Sequence, residues 1–218
     1  MVTVWNDEQL IAVLRNTAGL MKYPGGLPVA ANVRAIRSGD VLAKNTNNDH
    51  VQVCKFTELS ATSAQTDTTL DVDDAHPFEV GDVITLDDGT NTETLTIASI
   101  NYDTNVITTT AGVAQAAGYA ADTDVFVATN NQDNPIGIAL VPHWDRDANR
   151  TGNNVDLVTP KMSPTQYGDI AIMGVFKLTA IKNFRVGTRM DTELGGADLA
   201  DNDTYVISSI PATNYSLT

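Results

Sequence analysis

The residues equipped for chemistry are few and scattered. His143-Trp144-Asp145-Arg146-Asp147 sets an imidazole beside two carboxylates, the ingredients of a general base. Neighbouring loop residues point in different directions, however, and no Gly-x-Ser-x-Gly nucleophile turn accompanies the run. A surface loop accounts for it equally well, so no catalytic residue is assigned. His50, His76 and His143 lie far apart and away from zinc spacing, and Cys54 has no second cysteine, so no metal ligand is assigned. Asp71, Asp73 and Asp74 resemble part of a calcium loop but lack its sixth-position glycine and twelfth-position glutamate. Two readings stand for them, a loose calcium or sodium site and a solvated turn. With no Walker loop and no Gly-x-Gly-x-x-Gly after a strand, no cofactor is expected. The expectation is a protein that is not an enzyme.

What positions these residues is set by composition. The 218 residues hold 13 Lys and Arg against 27 Asp and Glu, a formal charge of −14. Such a field repels phosphate backbones and argues against nucleic acid as a partner. No run approaches the roughly 18 apolar residues of a membrane span, so no membrane partner is expected. The opening MVTVWNDEQL has no basic segment ahead of an apolar one, hence no signal peptide is read there. A single cysteine excludes a disulfide scaffold.

The charge is concentrated. No Lys or Arg occurs between Lys55 and Arg146, while residues 56–145 carry fifteen carboxylates. The remainder holds all 13 cations with the other 12 acids, leaving +1. This predicts a nearly neutral body made from both ends of the chain and an acidic module inserted in its middle; the alternative is one domain with an acidic face. Of the 27 acids 22 are aspartate, joined by 28 threonines and 18 asparagines, which favours strands and turns over helices.

One helix is expected, capped by Asn6 and ended by Gly19, with Leu10, Ile11, Val13 and Leu14 on one face. Ahead of it lies the extended stretch Val2-Thr3-Val4-Trp5, and behind it Tyr23-Pro24-Gly25-Gly26-Leu27-Pro28 allows no regular element. This arm is either packed on the body or a strap for a partner. Body strands are expected at Asn32–Ile36, Asp40–Ala43 and His50–Phe56, followed by a polar linker over 57–67. In the insert, strands are expected at Thr69–Val72, Val83–Leu86, Glu93–Ile100, Val106–Thr110 and Val125–Thr129, with a hairpin at Asp87-Asp88-Gly89-Thr90. Residues 112–120 read as a short helix or a loop. Beyond the insert, Pro135–Val141 is apolar on both faces and reads as a central strand. Val155–Thr159, two strands broken or bulged at Gly174 within Ile170–Ala180, and Tyr205–Ile210 complete the pattern.

The body's motifs carry a resemblance. Pro24-Gly25-Gly26-Leu27-Pro28, then Ser38-Gly39-Asp40-Val41-Leu42-Ala43, the hairpin into His50–Cys54, Pro135-Ile136-Gly137-Ile138-Ala139-Leu140 and Gly168-Asp169-Ile170-Ala171-Ile172-Met173-Gly174-Val175-Phe176 together resemble the head decoration (capsid cement) proteins of tailed bacteriophages, the lambda-like group. The match covers roughly residues 24–56 and 134–190. The resemblance implies a mainly β protein with a small β-tulip-like body, an extended N-terminal arm and, as a departure from the small family members, an inserted small β-barrel or sandwich. The expected division is an arm over 1–23, a body over 24–56 plus 133–218, and an acidic domain over 57–132.

It further implies a structural virion protein on the outer surface of the viral head. A homotrimer would bind the major capsid protein at three-fold and quasi-three-fold positions and stabilise the expanded head. An arm strand held three times in one trimer gains by avidity. The expected capsid-binding residues are Val2, Val4, Trp5, Leu10 and Tyr23, with Trp5 as anchor or, alternatively, packed on its own body. The carboxylates Asp71, Asp73, Asp74, Asp87 and Asp88 are expected on an outward acidic surface, where water and salt screen their repulsion over about 8 Å. The other readings are a phage tail or fibre module with an adhesion insert, and a carbohydrate-binding or hydrolase accessory protein; the few aromatics of the insert, Phe78, Tyr102, Tyr119 and Phe126, weigh against sugar binding.

Overall fold

The computed structural model describes residues 14–22, 27–28, 36–44, 50–129, 132–140, 166–167, 170–182, 184, 189–199 and 203–207. The protein is mainly β, and it divides into two compact units. The internal stretch Lys55–Asp133 forms one of them; the chain up to Cys54 and the described residues from Asn134 onward form the other.

In the flanking unit the strands are β1 (Leu14–Lys22), β2 (Leu27–Pro28), β3 (Val41–Lys44), β4 (Val51–Val53), β11 (Pro135–Ala139), β12 (Gln166–Tyr167), β13 (Ile170–Lys177), β14 (Gly196–Leu199) and β15 (Thr204–Ile207). Seven of these make an antiparallel sheet in the order β14-β15-β13-β11-β3-β4, with β1 also on β13, while β2 and β12 pair separately. One edge of β13 is shared, with β11 at Ile170 and Ala171 and β15 from Gly174 to Lys177. Because β1 pairs across both stretches, it occupies the opposite edge.

Two local expectations change here. The helix that was to end at Gly19 does not extend over Leu14–Lys22, which is strand β1; its earlier residues lie outside those described. Pairing with the apolar edge of β13 outweighs the weak helix preference of this short stretch. Of the two readings at Gly174 the break fails, since β13 runs unbroken for 8 residues before a 3-10 turn at Leu178–Ala180. The pairing with β1 is irregular around it: Asn16 opposes Val175 and Met21 opposes Met173, which leaves extra residues of β1 opposite Gly174, and Lys22 then opposes Ala171, which leaves Ile172 extra on β13.

Every residue of β11 is buried between β13 and β3, as its unbroken apolar run predicts. The turn that starts β3 is built around Asp40, fully buried, whose carboxylate accepts from Arg37 N at 2.6 Å and Arg37 Nε at 3.0 Å. Gly39 (φ +89°) brings its backbone against Ala180, where a Cβ would stand 1.9 Å from the carbonyl oxygen. Only glycine fits that conformation and that approach. A short helix, α1 (Arg189–Leu194), buries Met190 and Leu194 at i,i+4 spacing and ends at Gly195 (φ +61°). It was not expected, since six residues give too little periodicity to read.

In the internal unit the strands are β5 (Phe56–Glu58), β6 (Thr69–Asp71), β7 (Val83–Asp87), β8 (Thr92–Asn101), β9 (Val106–Thr109) and β10 (Asp124–Phe126). They form a sheet in the order β5-β10-β7-β8-β9-β6. Its two end strands also meet: Leu59 bridges Val72, Ser60 N donates to Asp71 O at 3.0 Å and Asp73 N to Glu58 O at 2.9 Å. The sheet therefore closes on itself and leaves no open edge at this seam. Its interior holds Leu59, Leu70, Val72, Phe78, Ile84, Leu86, Leu95, Ile97, Ile107, Tyr119 and Val125.

The expected linker over 57–67 is part of this closure. Thr57, Glu58, Leu59 and Ser63 are buried, and Ser63 pairs with Tyr119. Its small polar residues are there because the chain turns tightly at the seam, with Thr66 at φ 72° and the Asp67 carboxylate accepting from Ala64 N at 2.7 Å. Residues 112–120 form a loop fastened to β8 by Glu93, whose Oε1 accepts from Ala114 N at 2.7 Å.

Candidate interaction surface

Most acidic residues of the internal unit sit in turns and at exposed or half-buried strand positions, while Glu58 and Asp133 are buried. At the β7–β8 hairpin the Asp87 carboxylate accepts from Gly89 N at 2.8 Å. Asp88 accepts from Thr90 N at 2.8 Å, Asn91 N at 2.6 Å and Asn91 Nδ2 at 3.1 Å. The hydrogen bonds from Asn91 and then Thr90 hold the Asp88 carboxyl below the usual aspartate range. Gly89 takes φ +82°, as the Asp-Gly dipeptide predicts.

At the start of the β6–β7 connection, Asp71 and Asp73 are exposed and Asp74 is partly buried, its Oδ1 accepting from His76 N at 2.9 Å. Asn105, φ 54°, closes this corner by accepting from Ala75 N at 3.1 Å and donating to Asp73 O at 3.2 Å. The five carboxylates expected on an acidic surface thus divide between two turns: Asp71, Asp73 and Asp74 at one, Asp87 and Asp88 at the other. Asp71, Asp73 and Asp88 are exposed, Asp74 and Asp87 partly buried.

A third acidic feature depends on strand register. Glu58 on β5 pairs with Asp124 on β10, and Asp124 pairs with Asp87 on β7. Three carboxylates therefore stand in a row across three strands, where directly opposed like charges are destabilising. Nothing in the spacing of 58, 87 and 124 signals this; only the pairing of β10 between β5 and β7 creates it. The field also reaches inward. The Tyr119 hydroxyl is pushed above its ordinary pKa by burial first, and then by the charges of Glu93, Asp88 and Asp87.

Among the described residues of the internal unit, one cation stands out. Lys55 is the only Lys or Arg of Lys55–Asp133, against fourteen carboxylates, for a net charge of −13. Lys55 is buried and its Nζ donates to both oxygens of Asp82, at 2.7 and 2.8 Å. Asp82 Oδ2 accepts in addition from Glu79 N at 2.8 Å. This pair was not among the expected site residues, although Lys55 stands out in the sequence as the last cation before the acidic stretch.

Among the described residues, no group of three or more His, Cys, Asp or Glu is arranged to hold a metal ion. Val2, Val4, Trp5, Leu10 and Tyr23 lie outside the described residues, as does the His143–Asp147 run. The nearest described neighbours of the arm residues are in β1, where Leu14 is buried and Met21 and Lys22 are exposed. No helix among the described residues is long and apolar enough to cross a membrane. Comparison with protein-family models, with curated proteins and with solved structures finds no match.

Proposed function

We propose that this chain is a structural virion protein, a decoration protein that binds the outside of a phage head as a homotrimer at three-fold and quasi-three-fold positions. The observation that carries this reading is the agreement between two independent divisions. The stretch Lys55–Asp133, which makes up nearly all of one compact unit, holds −13 of the −14 formal charge, so the flanking unit is close to neutral. A near-neutral surface can be desolvated against a large partner at modest cost, whereas thirteen surplus carboxylates are best left in water. The body is accordingly the gripping part and the closed acidic sheet the outward one. The β-rich structure and the body motifs from Pro24 to Phe176 support the same assignment.

Leu14–Lys22 belongs to the body's own sheet through β13, so the strap is limited to the residues before Leu14, with Val2, Val4, Trp5 and Leu10 as contacts. Bridging of capsomers by such straps needs no catalytic group; three of them in one trimer bind by avidity.

The test is reconstitution. Purified protein mixed with expanded capsids that lack it occupies three-fold positions in cryo-electron microscopy images, and empty three-fold positions would sink the assignment. Deleting residues 1–13 abolishes binding while the body stays folded. Joining Cys54 to Asn134 by a short Gly-Ser linker spares binding; cuts inside Phe56–Glu58 would instead divide strand β5.

A further inference from the structure

The Lys55–Asp82 pair has an arrangement that an ordinary surface ion pair lacks. The amine nitrogen lies 2.7 and 2.8 Å from the two carboxyl oxygens, so Cγ is the carbon it faces, equidistant from either side. Both side chains are largely removed from water, at 7% and 15% exposure. Both partners are held by backbone: Lys55 N donates to Gln132 O at 2.8 Å, and Val127 N donates to Lys55 O at 3.1 Å. Asp82 is held in its turn by its own N–H on Glu79 O at 3.1 Å and by Glu79 N on its Oδ2. Fully buried Phe56 and Phe78 are close in sequence to Lys55 and to the turn that carries Asp82.

We propose that Lys55 and Asp82 are the reactants of an intramolecular isopeptide crosslink. Proton transfer along the 2.7 Å hydrogen bond converts the ion pair into an amine with a free lone pair and a carboxylic acid. The Nζ lone pair then attacks Cγ. Glu79 N–H, already on Oδ2, holds the oxygen that gains negative charge in the tetrahedral intermediate. The Cγ–N bond forms, the Cγ–Oδ1 bond breaks, and Oδ1 leaves as water carrying two protons, one of them from the amine. No oxidant or reductant takes part. The held geometry replaces a bimolecular encounter by a local one, which is worth many orders of magnitude in rate at reacting distances of about 3–3.5 Å. The product removes two buried charges and joins the first residue of the internal unit to the residue before β7.

The crosslink has a direct signature. The purified chain has an intact mass lower by one water than its sequence requires, and after denaturation trypsin no longer cuts after Lys55. Since Arg146 is the next Lys or Arg, the tryptic peptide then runs from Asn45 to Arg146. The K55R variant keeps the cation, cannot form this amide, and retains its full mass. The D82N variant closes with loss of ammonia instead of water. A wild-type chain at full sequence mass, cut by trypsin after Lys55, contains a plain ion pair and overturns the proposal. A mass deficit that persists in K55R overturns it too, because the lost water then comes from elsewhere.

Discussion

The two units solve the same problem, a β fold with few helices, by different means. In the internal unit the strands alternate: β7, β8 and β9 place buried residues at every second position over their paired stretches, and the interior is a single cluster around Phe78, Leu86 and Ile107. In the flanking unit β3, β4 and β11 are buried at every position. Its specificity comes from close backbone approach instead, as where Gly39 meets Ala180 and where the Tyr205 ring fills the space a Cβ on Gly196 would need. One unit is organised by a two-residue period and tolerates a heavy surface charge. The other is organised by contacts distant in sequence and carries almost no net charge.

The largest expected effect separates the units at a single methyl group. Gly39→Ala costs about 3 kcal/mol or more, since it combines a positive φ with a clash against fixed backbone. Amide hydrogen exchange read by mass spectrometry should show lost protection in β3, β11 and β13, with β7 and β8 unchanged; lost protection in both units would mean that they unfold as one. The mirror experiment is Phe78→Ala, which empties a fully buried position in the internal unit at about 3–5 kcal/mol. Protection should fall in β6–β9 and stay in β13 and β15.

Salt sharpens the contrast by charge. Raising ionic strength from about 0.01 to 1 M shortens the screening length from about 30 to 3 Å. The internal unit should gain on the order of 1 kcal/mol in stability relative to the flanking unit, through relief of the Glu58–Asp124–Asp87 row and its neighbours. Equal gains in both units would show that their unequal charge has no energetic consequence.

The smallest effect is a pH dependence confined to the internal unit. The folded-state pKa of Tyr119 lies above its unfolded value, so the stability linked to its proton is complete below the unfolded value of about 10. That stability is lost as pH rises through the folded value. Thermal unfolding between pH 9 and 11 should show this alkaline loss in the wild type and a weaker one in Tyr119→Phe. An unchanged slope in the variant would place the alkaline sensitivity on another group.

How much was legible follows from the same difference. The expected strands at 69–72, 83–86, 93–100, 106–110 and 125–129 each meet an observed strand of the internal unit, because alternation and turn residues such as Asp88-Gly89 are local signals. Pro135–Ala139 was legible as a central strand from its unbroken apolar run. The start of the unit was not: residues 57–67 look like a linker because the groups that bury Thr57 and Ser63, among them Tyr119, come much later in the chain. β1 was misread for a related reason, since the partner that makes Leu14–Lys22 a strand is β13, more than a hundred residues away. Of the candidate surface, the turns bearing Asp71, Asp73, Asp74, Asp87 and Asp88 were legible, as these residue types favour turns wherever they occur.

By itself the sequence determined the class of structure, the segregation of charge into 56–145 and the local turn chemistry. All three are properties of residue type and near neighbours. Tertiary structure decided that the first and last strands of the internal sheet meet at Leu59 and Val72, that Glu58, Asp124 and Asp87 form a row, and that Lys55 faces Asp82 at 2.7 Å. Each of these depends on strand order and register. Strand order and register follow from the burial of a whole core, which no short window of sequence contains.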